Sequence, residues 1–522
     1  MAKTSSLISL VYSLTKSEKR YFSLFTNLQK GDKNYLKLLT LIETLPQCSP
    51  ASLKKEFCSL YPGASFEIAG KHLYNILMES LLHLKNAEDD PIIKMNTSVC
   101  AIRILFEKAL YEEAFKESER LQRFAADHGH ELMLMTAIKQ EIHFRSLLNF
   151  ESMSEKELIH NQIRISSLLK AISQAHQHQS LQDLLKHRLI HKGSIRTAKQ
   201  KEELNDLLMC EMGITSRSTG NAFETQKTHL LFQSTYYLTI SDYKSALKAF
   251  FELNQLFERN AYLWNESIAD YLSCLEGIMD SLRNIKRHDE IEFYLEKVRN
   301  LKTNAVHHDV ARLRILFIYS ITNVTDKGLY KEAIELIKVF PDTLFKNAHI
   351  LGINKHAEIY LHTSLVHFGM GNVKETIKCL NHVLLSNSMY LRLPEYKTFK
   401  LIRLLAHFEL KDYEFVKYEL NTIKRNLNSK DKTYKLEKLV FQFLNTTMAN
   451  PVFSKNSEIW NKLKPEFDKL KDDRFEIQLL KIFNFPVWVE SKLRRRPFTQ
   501  VLADQWHSSG IQQESTVQQP RA

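Results

Sequence analysis

Residues 92–340 contain no proline, and the 522-residue chain as a whole holds only 13 glycines and 11 prolines. Average usage of roughly 7% glycine and 5% proline would supply well over twice as many. Sandwiches, barrels and glycine-rich nucleotide-binding sheets turn tightly at many points, and those turns need positive-φ positions filled mostly by glycine. Where neither breaker intervenes, helix propagates, because no backbone donor is lost and no ring clashes with the preceding turn. The expected fold class is all-α. A single core stops growing at roughly 250–300 residues, so the chain must contain several domains or a repeat array.

The balance of 72 Lys and Arg against 60 Asp and Glu leaves a net charge of +12. Nucleic-acid affinity needs that surplus gathered into a stripe that neutralises several phosphates together. Here it is diffuse, and the densest group is Lys492, Arg494, Arg495 and Arg496. The longest uncharged run, Leu439 to Ser454, includes Asn445, Asn450 and Pro451 and is too short and polar to cross a bilayer. An apolar patch from Leu7 to Leu14 is followed by Lys16, Lys19 and Arg20, the reverse of a secretory signal's order. Cys48, Cys58, Cys100, Cys210, Cys274 and Cys379 include no Cys-x-x-Cys and read as small core residues in a reducing compartment. A cytoplasmic protein with no membrane partner is expected.

The first ninety residues read as a separate helical unit. Thr15 or Ser17 caps a helix through Tyr21, Leu24, Phe25 and Leu28 that Gly31 ends; a second runs from Asn34 to Leu45, stopped by Pro46. Ser49 and Pro50 open a third helix that continues to Leu60, and a turn from Tyr61 to Ser65 precedes a fourth with Leu73, Ile76, Leu77, Leu81 and Leu84 on one face. Glu88 to Pro91 marks a boundary. Three helices joined by turns also suit a helix-turn-helix DNA reader, for which Lys71, Asn75 and Lys85 are the candidate contacts. Glu67 and Glu79 lie in the same polar region and would repel phosphate. The other reading of this unit is a cap on a helical stack.

From Val99 onward a bulky residue at a helix start is followed three places later by a small or apolar one: Tyr111 and Ala114, Tyr243 and Ala246, His288 and Ile291, Tyr330 and Ala333, Val373 and Thr376, Tyr413 and Val416. The last five starts recur at about 43 residues. The gap between Tyr111 and Tyr243 then predicts two degenerate repeats, beginning near Glu155 with Ser154 as cap and near Lys199 with Thr197 as cap. Each period holds two helices, as in Ala357, Leu361, Leu365 and Phe368 on one and Leu401, Leu404, Leu405 and Phe408 on its successor. Gly328, Gly369 and Gly371, and Lys411-Asp412 before Tyr413, punctuate them. The small residue lets two backbones approach while the aromatic, one turn earlier, fills the adjacent groove, so Tyr111, Ala114, Tyr243, Ala246, Tyr330, Ala333 and Tyr413 are the expected repeat-packing residues. The architecture expected is an α-solenoid of helical hairpins.

The segment from Gly328 through Tyr330, Ala333 and Ile337 to Pro341 resembles the second half of a tetratricopeptide repeat, and Ala109 to Phe124 and Ser241 to Leu256 are similar. The family's period is about 34 residues, so the helices here are longer and the repeat is degenerate. The whole chain also resembles uncharacterised bacterial proteins of this architecture, which implies no particular activity. On this reading residues 1–90 form the N-terminal unit, 91–440 the repeats, 441–500 capping helices and 501–522 a disordered tail.

Motifs for chemistry are few. Gly369 and Gly371 form the one Gly-x-Gly, without a third glycine, so neither a phosphate loop nor a nucleophile elbow is expected. His187 and His191 share a helical face, but Arg188 and Lys192 flank them and disfavour a dication; His176 and His178 diverge by about 200°. His128-Gly129-His130 reads as a helix C-terminus. Adjacent carboxylates such as Glu112 and Glu113 diverge by about 100° and make no acid–base couple. No catalytic, cofactor-binding or metal residue is assigned. The expectation is a non-catalytic scaffold or adaptor that binds a protein or peptide partner in a repeat groove, the alternative being a transcriptional regulator with an N-terminal DNA-contacting unit.

Overall fold

The computed structural model describes residues 2–27, 33–45, 49–87, 90–151, 153–192, 195, 198–215, 223–261, 264–303, 305–340, 342–385, 390, 396–427, 435–449, 456–470, 473 and 476–517. Among these residues all regular structure is helical. The chain forms two compact units, Met1–Leu169 and Lys170–Ala522, so the boundaries anticipated at 90 and 440 lie inside them.

The first unit contains α1 (Ala2–Ser13), α2 (Lys16–Asn27), α3 (Asn34–Thr44), α4 (Pro50–Leu60), α5 (Phe66–Ala87), α6 (Pro91–Glu107), α7 (Tyr111–Asp127), α8 (Glu131–Leu147) and the start of α9 (Glu155–Lys192). The caps are local chemistry. Thr15 Oγ1 accepts from Glu18 N while Glu18 answers to Thr15 N, and Ser49 and Ser52 make the same reciprocal pair ahead of Pro50. Asp90 Oδ1 accepts from the amides of Ile92 and Ile93 to open α6. Leu28, Gly31, Pro46, Cys48, Glu88 and Asp89 lie outside the described residues. The apolar patch at 7–14 lies largely in a helix of its own, with Leu7, Ile8 and Val11 of α1 buried against Leu38, Ile42, Leu53, Phe57 and Leu73. A second apolar cluster joins α6 through α9 around Met95, Ile102, Leu121, Ala137 and Ile138.

The second unit continues with α10 (Ala198–Thr215), α11 (Phe223–Thr239), α12 (Tyr243–Arg259), α13 (Trp264–Asn284), α14 (Ile291–Asn300), α15 (Val306–Asp326), α16 (Tyr330–Val339), α17 (Asp342–Asn347), α18 (Ile353–Gly369), α19 (Val373–Leu384), α20 (Tyr396–Glu409), α21 (Tyr413–Leu427), α22 (Lys435–Ala449), α23 (Asn456–Leu470), α24 (Ile477–Ile482), α25 (Phe485–Arg494) and α26 (Phe498–Val517). Short 3-10 turns precede α14 and α18. Neighbours in sequence pack as neighbours in space, α11 on α12, α12 on α13 and α18 on α19.

One turn recurs between helices. Ala109, Gly129, Ser241, Lys286, Gly328, Gly371 and Lys411 all adopt left-handed φ between +59° and +84°. In each case the next amide, such as Leu110 N, Asp242 N, Leu329 N or Asp412 N, donates to the carbonyl five residues back, at 2.8–3.0 Å. This is the 6→1 bond of a Schellman ending, and the next helix or 3-10 turn begins two residues after each left-handed position. Only three of the seven are glycine. The other four bear a steric cost of about 1–2 kcal/mol each, which helix packing on both sides must outweigh.

Packing shows what the small residues do. Ala114, Ala246 and Ala333 are fully buried. Phe250 of α12 lies so close to α13 that a Cβ on Gly277 would fall 2.1 Å from its ring, and Tyr330 of α16 presses on Gly369 of α18 to the same degree. Ion pairs link successive longer helices: Lys227 of α11 to Asp270 of α13 at 3.2 Å, and Arg283 of α13 to Asp326 of α15 at 2.6 Å. Arg314 of α15, 1% exposed, holds Glu276 of α13 and Glu358 of α18 at 2.5 Å each.

Two expectations are corrected. Helices begin at Glu155 and Ala198, close to the anticipated starts, and Ser154 caps the first, but α9 runs to Lys192 without a turn. Described residues 155–192 hold no glycine or proline to break it, so the last helix of one expected pair and the first of the next are fused. Thr197 lies outside the described residues. The tail expected to be disordered from 501 is helical as far as Val517, because Val501 and Leu502 continue the apolar face begun by Phe498 and are buried, and Trp506 meets His288 edge-on at 4.7 Å. Cysteines also depart from the expected core role: Cys274 is buried, whereas Cys58, Cys100 and Cys210 are exposed; the five described cysteines are free.

Candidate functional site

The longer helices α13, α15, α18 and α20 present a face that the C-terminal helices cover. Arg283 donates to the Lys481 carbonyl at 3.0 Å, Lys481 pairs with Asp280, and Glu409 of α20 accepts from Trp488 Nε1 at 2.8 Å and Lys492 Nζ at 2.7 Å. Phe498 meets Tyr330 edge-on at 5.7 Å. Along this seam a cavity of about 770 Å³ remains, lined by residues that include Arg283, His288, Asp326, His362, Lys481 and Trp506.

Its charges answer one another. Besides Arg283 with Asp326 and Lys481 with Asp280, Arg494 pairs with Glu490 and Arg496 with Asp504, both at 2.8 Å. Burial pushes the imidazole of His362 down to about 3, helped by the nearby Arg283 charge, and burial lowers His288 as well. Both rings are therefore neutral at pH 7. Neutral rings and self-paired ions make this seam an internal docking surface for α24 to α26.

The unfilled counterpart lies between the shorter helices. A groove of about 730 Å³ runs between α14 and α16 over α15, with Val324, Ile334 and Leu336 on its apolar surface and Val339, 80% exposed, at its edge. Its rim carries both signs: Arg299, bonded at 2.7–2.8 Å to Glu292 and Glu296, with Lys331, Glu332 and Glu335 opposite. An apolar strip with a mixed-charge rim suits an apolar peptide side chain better than a phosphate or a metal.

The residues singled out from sequence fall in several places. Tyr330 is buried, Tyr243 is half-buried beneath Lys481 Nζ at 5.8 Å, and Tyr111 and Tyr413 are exposed at their helix starts, Tyr111 against Phe106 and Tyr413 against Phe408. Lys71 and Asn75 are exposed on α5 and Lys85 is half-buried at its end; Glu67 and Glu79 are exposed on the same helix, Glu67 paired with Lys54 at 2.6 Å. His128 C-caps α7, Nδ1 lying 2.8 Å from the Phe124 carbonyl. His187 and His191 meet at a tilt on α9, ring centroids 4.3 Å apart, beside Arg188, which is held bidentately by Asp206 at 3.1 Å.

One constellation escaped sequence reasoning. His178 of α9, Glu211 of α10 and His229 of α11 bring their ligand atoms within 4.8 Å of one another. Their spacing matches no motif, and the only local signal was negative, since His178 was weighed against His176 on its own helix.

No protein-family model and no curated protein matches this sequence. The tetratricopeptide resemblance thus reaches as far as a helical protein whose neighbouring helices pack together. Among the described residues no helix is long and apolar enough to cross a membrane.

Proposed function

We propose that this chain is a non-catalytic scaffold or adaptor, an α-solenoid of tetratricopeptide-like hairpins with a period near 43 residues, which binds a protein or peptide partner. The recurring left-handed turns at 241, 286, 328, 371 and 411 support the repeat reading, because each ends a helix in the same way. The observation that carries the binding reading is the open apolar groove between α14 and α16, edged by the 80% exposed Val339. The partner chemistry is a segment with an apolar anchor flanked by charges of both signs, which the Arg299, Lys331 and Glu335 rim can answer.

Peptides selected from a random library on the full chain test this reading. Val339→Asp places a charge on the apolar edge and should weaken the selected peptides by about tenfold or more, while stability changes by less than about 0.5 kcal/mol. Selected peptides that bind Val339→Asp and the parent equally would remove the groove as the site.

A further inference from the structure

We infer that His178, Glu211 and His229 form a structural site for a divalent transition-metal ion of the zinc type, which fastens α9, α10 and α11 to one another. His178 Nδ1 lies 3.8 Å from Glu211 Oε1, and His229 Nδ1 contacts the same oxygen. A tetrahedral zinc with bonds of about 2.0–2.1 Å sets its ligand atoms roughly 3.3 Å apart, so small side-chain adjustments bring the three onto one ion. Two imidazoles and one carboxylate are a donor set for zinc and its neighbours; calcium and magnesium would ask for more oxygens.

A second observation is independent of that spacing. His178 is 1% exposed, and its Nδ1 has no hydrogen-bond partner. A buried ring nitrogen aimed at a carboxylate beyond hydrogen-bond reach is costly unless something lies between them. Glu211, also 1% exposed, is oriented by Thr215, whose Oγ1 donates to Oε1 at 3.1 Å, the kind of outer support that ligating carboxylates receive.

The surroundings give the ion a structural task. The apolar cluster around Leu181, Leu185, Leu204, Leu207, Phe232 and Tyr236 is the smallest of the five among the described residues. Polar bolts supplement it: Gln182 of α9 donates to Thr235 of α11 at 3.0 Å, Tyr236 of α11 donates to Asn205 of α10 at 3.3 Å, and Arg188 of α9 bonds Asp206 of α10. The three candidate ligands come one from each of these helices. Three protein ligands leave the fourth position of a tetrahedral ion to water; with His178 and Glu211 almost fully buried, little of the site is open to a substrate, and an ion there acts as a staple between the helices.

Full-length protein stripped with a chelator and titrated with Co²⁺ as a spectroscopic probe should bind one equivalent with a tetrahedral visible spectrum, and Zn²⁺ should displace it and raise the melting temperature. Glu211→Gln and His178→Gln should each weaken Co²⁺ binding by more than about 100-fold, beyond the roughly 10- to 100-fold typical of outer-sphere changes. His187→Gln, on the exposed histidine pair of α9, should leave binding unchanged. If Glu211→Gln fails to fold, His229→Gln gives the same readout at a less buried position. Absence of binding to the stripped parent, or loss of binding in His187→Gln with retention in Glu211→Gln, would overturn the site and leave a buried histidine–glutamate hydrogen bond.

Discussion

The hairpins from α11 to α21 and the stretch from α9 to α10 solve the same problem with different means. In the first region left-handed turns end several of the helices, and the gaps are filled by apolar side chains such as Phe250, Tyr330 and Phe399, with Ala246 and Ala333 at points of close approach. In the second, one helix runs through 38 residues, its apolar cluster is small, and Gln182, Arg188 and the His178 group make the connections. Turns set how often a helix must present a packing face. Where a turn is missing, directional polar contacts take on more of the joining, and they tolerate less error in geometry than apolar packing does.

The largest expected effect separates the two packing styles. Ala333→Trp introduces a large ring at a position with no exposure and should cost about 1–3 kcal/mol or more. Leu169→Trp, at an exposed position on α9, should change stability by less than about 0.5 kcal/mol. Equal losses in denaturant midpoint would end the contrast.

Acid sharpens it next. The folded pKa of His362 is depressed to about 3 from the ordinary 6.5, so the unfolded chain takes up its proton first as pH falls. Its contribution is fully present above about pH 6.5 and is lost as pH falls from there towards 3; His288, lowered by burial, adds in the same direction. Stability measured from pH 7 to 4 should therefore decline, and His362→Gln should flatten the decline. An unchanged slope in that variant would show that His362 stays solvated through its cavity.

The turns themselves give the smallest effect. Lys411→Gly removes a side chain from a left-handed residue and should stabilise by about 1 kcal/mol, whereas Gly371→Ala, with open space around the new methyl, should cost a similar amount through backbone strain alone. Thermal melts of both variants check the pair, and opposite signs are the required result.

Much of the helical order was legible because it is local. Ser49 with Pro50, Asp90 with Pro91 and the alternation of apolar and polar faces in α3 to α5 depend on residues three or four apart, and those neighbours are set by the helix itself. The breaks before Tyr111, Tyr243 and His288 are legible from the recurring helix starts and that before Tyr413 also from Lys411-Asp412, but the left-handed conformation of Ala109, Ser241, Lys286 and Lys411 is not, since none is glycine and the helices they join force it. The fused α9 was misread for the opposite reason: a spacing argument asked for a turn where the residues supply none.

Scarcity of glycine and proline by itself determined an all-helical chain, because without breakers hydrogen bonding between residues four apart prevails. Tertiary structure alone decided that the C-terminal helices would lie on α13 to α20, that the groove between α14 and α16 would stay open, and that His178, Glu211 and His229 would meet. Such meetings depend on the angle and register at which whole helices pack, which are collective properties of many weak contacts and leave no mark at any fixed spacing in the chain.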